Sequence, residues 1–165
     1  MSQAEAKKAS VLEIRLATRD DSPAITEVLH EAFSPFREHY TDDAFAVVTA
    51  SADVIESRFS EGPIWVSELD GRVVGTVSLT TEPEGFYIRS MAVRPGAQGL
   101  GIGHKLLNAL NDHVSGIGIE RIFLYTTYFV PGAKELYEKH GFKWVRDTTA
   151  EEWYGTPGLE MEKAI

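Results

Sequence analysis

The sequence predicts an α/β domain with a mixed β-sheet and helices on both faces. In the middle of the chain, apolar residues alternate within short runs that are separated by turn residues, a pattern typical of an antiparallel meander. Further along, a helical pattern leads into the continuous apolar run 122–125. Such a run is expected for a strand that is parallel to its neighbour and covered on both faces. A meander followed by this strand–helix–strand unit gives a mixed sheet.

The chain begins with a predicted strand and helix. Residues 14–17 form the strand, which ends at the acidic pair Asp20-Asp21. The helix starts at Ser22-Pro23, because Ser caps free backbone amides and Pro fits the first helical turn. It ends at Ser34-Pro35, because the residue before a proline avoids helical geometry.

One long helix is predicted next, from Thr41 to the helix-ending pair Gly62-Pro63. Its acidic first turn matches the positive end of the helix dipole. Apolar residues lie on one face of this helix at helical spacing: Phe45, Val48, Ala52, Ile55 and Phe59.

The meander and the remaining elements follow. Strands are predicted at 64–66, 73–79 and 86–93, with turns at Asp70-Gly71 and 82–85. The later elements are a helix carrying Leu106, Leu107, Leu110 and Val114, a strand at 122–125, a helix at 132–140, and strands at 142–145 and 159–161.

Composition excludes several classes of function. The 165 residues suit one domain, with residues 1–12 as a flexible N-terminus and 13–165 as the folded part. The absence of cysteine excludes disulfides, thiolate metal sites and a catalytic thiol, and we expect no metal. The net charge of −9 disfavours binding of nucleic acid, which needs a basic surface. Because we find neither a secretory signal nor an apolar run of the ~20 residues that a membrane span requires, we expect a cytoplasmic protein without a membrane partner.

The most informative segment is a glycine-rich turn between a predicted strand and a helix. Its glycines at 99, 101 and 103 cost backbone entropy unless a ligand must approach the main chain closely. Free amides at a helix start bind anions, so phosphate is the expected guest. A Walker loop is excluded, because His104-Lys105 stands where Lys-Ser or Lys-Thr is needed. A dinucleotide fingerprint does not fit, because the third glycine comes one residue early.

A third phosphate-binding pattern fits this turn, and a second motif supports it. Gln98, Gly101 and Gly103 match Q/R-x-x-G-x-G/A, and residues 136–142 match Leu-Tyr-x-x-x-Gly-Phe. Together with the strand exit at 91–95, these motifs resemble the GNAT family of acyl-CoA-dependent N-acetyltransferases. The resemblance implies a single-domain GNAT fold with a mixed sheet of about six to seven strands and splayed central strands. It also implies acetyl-CoA as the acyl donor.

The resemblance further implies where the donor binds. The pantetheine arm would lie between the splayed strands, the pyrophosphate on the amides of the turn, and the thioester carbonyl on an amide near a bulge. The implied donor-binding residues are Met91, Ala92, Val93, Gln98, Gly99, Leu100, Gly101, Ile102, Gly103 and His104.

Tyr137 stands at the family's general-acid position, where a phenol would protonate the leaving sulfur. Two departures from the family pattern are present. Val130 replaces an Asn that contacts the CoA arm in many members, and Arg89-Ser90 stands where a Glu base is often found. The general base is left open between a water chain and four side chains: Glu31, Glu68, Glu84 and Tyr87.

The expected acceptor is a primary amine of a small molecule, which an amino acid would satisfy. In the family the segment 33–40 lines the acceptor pocket, so Phe36 and Tyr40 are predicted to bind the acceptor. Arg89 would pair with a substrate carboxylate, because Arg binds carboxylates bidentately. Three alternatives stay open: acetylation of protein N-termini or lysines, a non-catalytic acyl-CoA-binding module and, less favoured, a nucleotide-binding domain. Small members of the family are often dimers, so a homodimer is expected.

Overall fold

The computed structural model describes residues 10–118 and 120–164, which form seven strands and five α-helices besides short 3-10 turns. The strands are β1 (Leu12–Leu16), β2 (Ile64–Leu69), β3 (Arg72–Glu82), β4 (Gly85–Val93), β5 (Arg121–Thr126), β6 (Lys143–Asp147) and β7 (Leu159–Ala164). The helices are α1 (Ser22–Phe33), α2 (Asp42–Val48), α3 (Ala52–Arg58), α4 (Ile102–Val114) and α5 (Ala133–Lys139).

The strands form one mixed sheet in the order β1-β2-β3-β4-β5-β7-β6. Only β4 and β5 pair in parallel among the described strands, because α4 crosses one face of the sheet between them. The predicted mixed sheet is therefore confirmed. Strand β1 starts earlier than predicted, since Leu12 already pairs with Leu69. Residues 1–9 of the predicted flexible terminus lie outside the described residues.

Two hydrophobic cores lie on opposite faces of this sheet. Along β2, Trp65 faces one core, whereas Ile64 and Val66 face the other, as the alternation of a strand requires. The core on the first face is built from α4 and includes the buried residues Leu106, Leu107, Leu110 and Val114. The core on the second face is built from α1 and α3 and includes Ile25, Val28, Leu29 and Ile55. In the described part of the chain, no helix is long and apolar enough to span a bilayer.

The prediction of one long helix after Thr41 is wrong, because the chain breaks between α2 and α3. At the break, the Thr49 hydroxyl donates to the Phe45 carbonyl at 2.6 Å. The Ser51 hydroxyl accepts from the amide of Val54 at 3.3 Å and so caps α3. These hydroxyls compete with the backbone for helical hydrogen bonds. The apolar stripe continues across the break, which is why the spacing alone indicated a single helix.

The sheet opens between β4 and β5. Their parallel pairing ends at Ile88 and Leu124 in the described chain, although both strands continue beyond these residues. On the opposite edge of β4 the register with β3 shifts, so that Ser90 and Met91 lie opposite Val77 alone. This is a β-bulge, and Ser90 adopts a φ of +56° there. The bulge and the early end of pairing give the splayed central strands that the resemblance implies.

Leu107→Ala should lower the free energy of unfolding by about 2–5 kcal/mol, because it leaves a cavity in the α4 core. Leu107 is fully buried, with 0% of its surface exposed. Leu16→Ala on β1 is the matched control, because Leu16 is 56% exposed, and it should change stability by less than about 0.5 kcal/mol. Urea unfolding followed by circular dichroism measures both. Equal losses in the two variants would contradict this assignment of the core.

Candidate active site

Two cavities meet beneath the opening between β4 and β5. The first, which we call the glycine-turn groove, has a volume of about 610 Å³ and runs along the glycine-rich turn and the exit of β4. The second, the aromatic chamber, has a volume of about 350 Å³ and is bounded by β4, β5 and the loop before β7. Residues shared by the two linings mark their junction: Phe33, Met91, Val130, Ala133 and Tyr137.

The glycine turn gives α4 an open N-terminal end. Gly101 precedes the helix in left-handed geometry, with a φ of +75°, which a residue without Cβ adopts readily. Gly103 serves a different purpose, because a Cβ there would stand 3.1 Å from the Leu136 side chain of α5. The turn therefore lets α4 approach α5 closely. The first amides of α4 have no partner within the helix and lie along the groove.

The structure brings nearly all the predicted donor-binding residues to the groove. Its lining includes Met91, Ala92, Val93, Gln98, Gly99, Gly101, Ile102, Gly103 and His104. Leu100 does not line it, because its side chain is 53% exposed at the apex of the turn. The side-chain nitrogen of Gln98 donates to the carbonyl of Val93 at 3.3 Å, so Gln98 ties the turn to the end of β4.

His104 is held at the groove by a second histidine. Its Nδ1 lies 2.8 Å from Nε2 of His140, and the two rings stack with centroids 5.0 Å apart. Burial lowers the pKa of His140, and the nearby charges of His104 and Lys163 lower it further. The lowered pKa favours the uncharged form of His140, and the contact between the two rings holds His104 at the groove.

Tyr137 lies where the groove and the chamber join. Its side chain is buried, with 7% exposed, and packs edge-on against Phe142 at a centroid distance of 5.9 Å. Burial raises the pKa of the Tyr137 phenol well above its usual value, and the nearby Tyr87 adds to this shift. The phenol is therefore fully protonated at neutral pH and has a proton to donate.

Six aromatic side chains line the chamber besides Tyr137: Phe33, Tyr40, Tyr87, Tyr125, Trp153 and Tyr154. Burial raises the pKa of Tyr40 and of Tyr87 to about 12, so both phenols are protonated and neither is a base. Tyr40 thus lies in the expected pocket. Phe36 does not, because its 3-10 turn packs it near Phe129, at 6.4 Å, on the groove side.

Two arginines line the chamber. Arg89 was expected there, and its Nη2 donates to the carboxylate of Glu61 at 2.8 Å. Sequence reasoning missed Arg58, whose Nη1 donates to the Ser90 hydroxyl at 2.8 Å. Arg58 follows Ile55 by three residues, so it lies on the buried side of α3. A charged residue at an apolar position of a helical stripe was the signal that could have identified it.

Comparison with known proteins identifies this architecture. The sequence model of the Acetyltransferase (GNAT) family matches residues 23–142, which is more than half of the chain. This chain belongs to the GNAT family. S-(2-succino)cysteine N-acetyltransferase of Bacillus subtilis is 29% identical over 78% of this chain and 82% of its own length. The uncharacterized N-acetyltransferase YjgM of Escherichia coli is 27% identical over 79% and 81%.

Solved structures show the same fold. The PaiA N-acetyltransferase of Thermoplasma acidophilum, in complex with coenzyme A, superposes with a TM-score of 0.78 at 19% identity. The match covers 94% of this chain and 99% of that protein. The GNAT family uses acetyl-CoA, so this protein is an acetyl-CoA-dependent acyltransferase.

The carboxylates that could act as the general base in this GNAT protein either lie outside the chamber or are weak bases. Glu31 pairs with Arg94 at 2.7 Å and Glu68 pairs with Arg15 at 2.8 Å, both outside the chamber. Glu84, in the exposed turn before β4, does not line the chamber either. Glu152 does line it, but Arg146 holds the pKa of that carboxyl at about 2. Among the described residues, the chamber lining therefore contains no carboxylate that is basic near neutral pH.

Proposed function

We propose that this GNAT protein transfers the acetyl group of acetyl-CoA to a primary amine of a small molecule by direct attack. The observation that carries the proposal is the junction of two cavities at Tyr137. One cavity offers main-chain groups to a donor and the other offers an aromatic enclosure to an acceptor. A buried phenol with a firmly held proton lies between them.

The groove fits the thioester donor. The main chain of β4 beyond Ile88 has no pairing partner on β5 among the described residues, so its edge at Met91 and Val93 is open to the pantetheine arm, apart from the Val93 carbonyl, which accepts from the Gln98 side chain. A Cβ built at Gly99 or Gly101 meets nothing within 4 Å, which leaves room for a pyrophosphate against the amides of the turn. The thioester supplies an activated acyl carbon at the junction.

Each residue at the junction then has a role. At the bulge of Ser90 and Met91, a main-chain amide donates a hydrogen bond to the acyl oxygen, where negative charge develops during attack. As the amine forms its bond to the acyl carbon, the bond from that carbon to sulfur breaks, and Tyr137 donates its proton to the departing sulfur. The amine nitrogen loses its proton to water, because the chamber provides no suitable side-chain base.

The walls of the chamber favour a small acceptor over a protein N-terminus or lysine. Trp153 and Tyr154 add two aromatic rings to its lining, with the Trp153 ring 5.9 Å from that of Tyr125. A cavity of about 350 Å³ encloses a molecule of limited size. The B. subtilis relative is named as the N-acetyltransferase of a cysteine derivative, S-(2-succino)cysteine. This supports a small acceptor here.

A panel of amines assayed by release of free CoA tests the proposal. The chain contains no cysteine, so a thiol reagent reports the CoA product without background from the protein. We expect turnover with at least one small primary amine and none with peptides that offer a free N-terminus or lysine. Turnover of the peptides alone would overturn the small-molecule assignment. Acetyl-CoA binding without turnover of any amine would overturn the proposed transfer.

A further inference from the structure

The aromatic chamber contains a buried positive charge, Arg58, that has no salt-bridge partner in the part of the chain that the structure describes. Arg58 is 9% exposed, and its hydrogen bond to Ser90 is to a neutral hydroxyl. Among residues 10–118 and 120–164, Arg58 has no carboxylate within salt-bridge distance. Burying an unpaired charge is costly, and a bound anion would offset that cost.

Arg89 adds a second, partly satisfied guanidinium to the same wall. Its Nη2 binds Glu61, which is half-exposed and does not line the chamber, while its Nε is buried and has no hydrogen-bond partner among the described residues. Burial lowers the pKa of Arg58 and the nearby charge of Arg89 lowers it further, while the charge of Glu61 offsets part of this shift. Two adjacent cations and one exposed carboxylate leave a net positive charge, which repels a second cation and attracts an anion.

We propose that the acceptor is an amino carboxylate whose carboxylate binds between Arg58 and Arg89. This inference rests on the proposed function and specifies its substrate class. A carboxylate has two oxygens that accept from guanidinium donors, and here they would accept from the chamber-lining guanidinium groups of Arg58 and Arg89.

The position of the arginines suits the reaction. Arg58 binds Ser90, which belongs to the same bulge that faces the acyl group. A carboxylate at this site is therefore anchored beside the reacting centre, with the amine directed to the junction. The aromatic side chains that line the chamber favour an apolar group. We therefore expect an amino acid with an apolar side chain, which binds the arginines through its carboxylate, the junction through its amine and the aromatic lining through its side chain.

Matched amines test the proposal by steady-state kinetics. Each amino acid with an apolar side chain is paired with the amine that lacks its carboxylate, for example L-phenylalanine with phenethylamine and L-leucine with 3-methylbutylamine. We expect the carboxylated member to have a kcat/KM at least about tenfold higher. Arg58→Gln and Arg89→Gln should each raise its KM at least about tenfold and change the KM of the other member less than about threefold.

Arg121→Gln is the matched control, because Arg121 pairs with Glu160 and Glu162 and does not line the chamber. It should leave both KM values unchanged. Equal turnover of both amines by the wild type, or equal effects of the arginine variants on both, would overturn the carboxylate site. Turnover of no amine at all would instead overturn the proposed function.

A binding measurement tests the site without turnover. The probe 3-phenylpropionate has the carboxylate but no amine, and 3-phenylpropan-1-ol is its neutral counterpart. We expect the carboxylate to raise the melting temperature of the wild type and the alcohol not to do so. The gain should be absent in Arg58→Gln and retained in Arg121→Gln. Stabilisation by both probes, or by neither, would contradict the site.

Discussion

Tyr137→Phe is expected to lower kcat by about 100-fold to 10,000-fold, the range typical for loss of a general acid. The variant removes only the hydroxyl, so the buried ring still packs against Phe142. Binding of acetyl-CoA should change by less than about threefold, because the main-chain groups of the groove are untouched. Steady-state turnover and calorimetric titration with acetyl-CoA measure the two quantities separately.

The pH dependence of turnover gives a second check on Tyr137. Burial raises the pKa of this phenol well above its usual value. A general acid is active while protonated, so deprotonation of Tyr137 should cause no loss of kcat as pH rises from 7 to about 9.

Tyr125→Phe is the matched control for Tyr137→Phe, because Tyr125 lines the chamber but not the groove. The kcat of Tyr125→Phe should fall far less. An unchanged kcat in Tyr137→Phe would exclude this residue as the acid.

Gly101→Ala is expected to weaken acetyl-CoA binding at least about tenfold, which corresponds to about 1.4 kcal/mol. At a φ of +75°, the backbone of a residue that has a Cβ is strained. A Cβ at this position would also occupy open space along the turn where we place the pyrophosphate. The backbone strain alone should cost about 1–2 kcal/mol of folding stability. Calorimetric titration gives the affinity, and urea unfolding gives the stability.

Gly116→Ala separates strain from ligand contact. Gly116 has a φ of +82°, its Cβ would meet nothing within 4 Å, and it lies beyond the other end of α4, outside the groove. This variant should lose a similar amount of stability but keep its affinity for acetyl-CoA. If both variants bind acetyl-CoA as tightly as the wild type does, the pyrophosphate does not lie against Gly101.

Much of the fold could be predicted because its signals are local. The period of two along 73–79 and the turn at Asp70-Gly71 define a hairpin without reference to the rest of the chain. The break between α2 and α3 was missed, because the Thr49 hydroxyl ends α2 and the Ser51 hydroxyl caps the start of α3 while the apolar spacing continues across them. The spacing of apolar residues shows which face of a helix is buried, but it does not show where the helical hydrogen bonds stop.

The candidate site divides in the same way. A contiguous motif places Gly99 to Gly103 at the start of α4, and the Leu-Tyr-x-x-x-Gly-Phe segment places Tyr137 on α5, so both positions could be predicted from the sequence. Phe36 was assigned to the acceptor pocket and lies in the groove instead. The orientation of a loop depends on what packs against it, here Phe129 from a distant part of the chain.

By itself, then, the sequence determined the order of the elements, the family and the turn along which the donor is expected to bind. Only the tertiary structure decided that Arg58 and Arg89 share one wall. Arg58 ends α3 and Arg89 lies in β4, 31 positions along the chain, and the packing of that helix on the sheet brings them together. Two residues this far apart in the sequence form no recognisable motif, because they become neighbours only after both elements bury their apolar faces in one core.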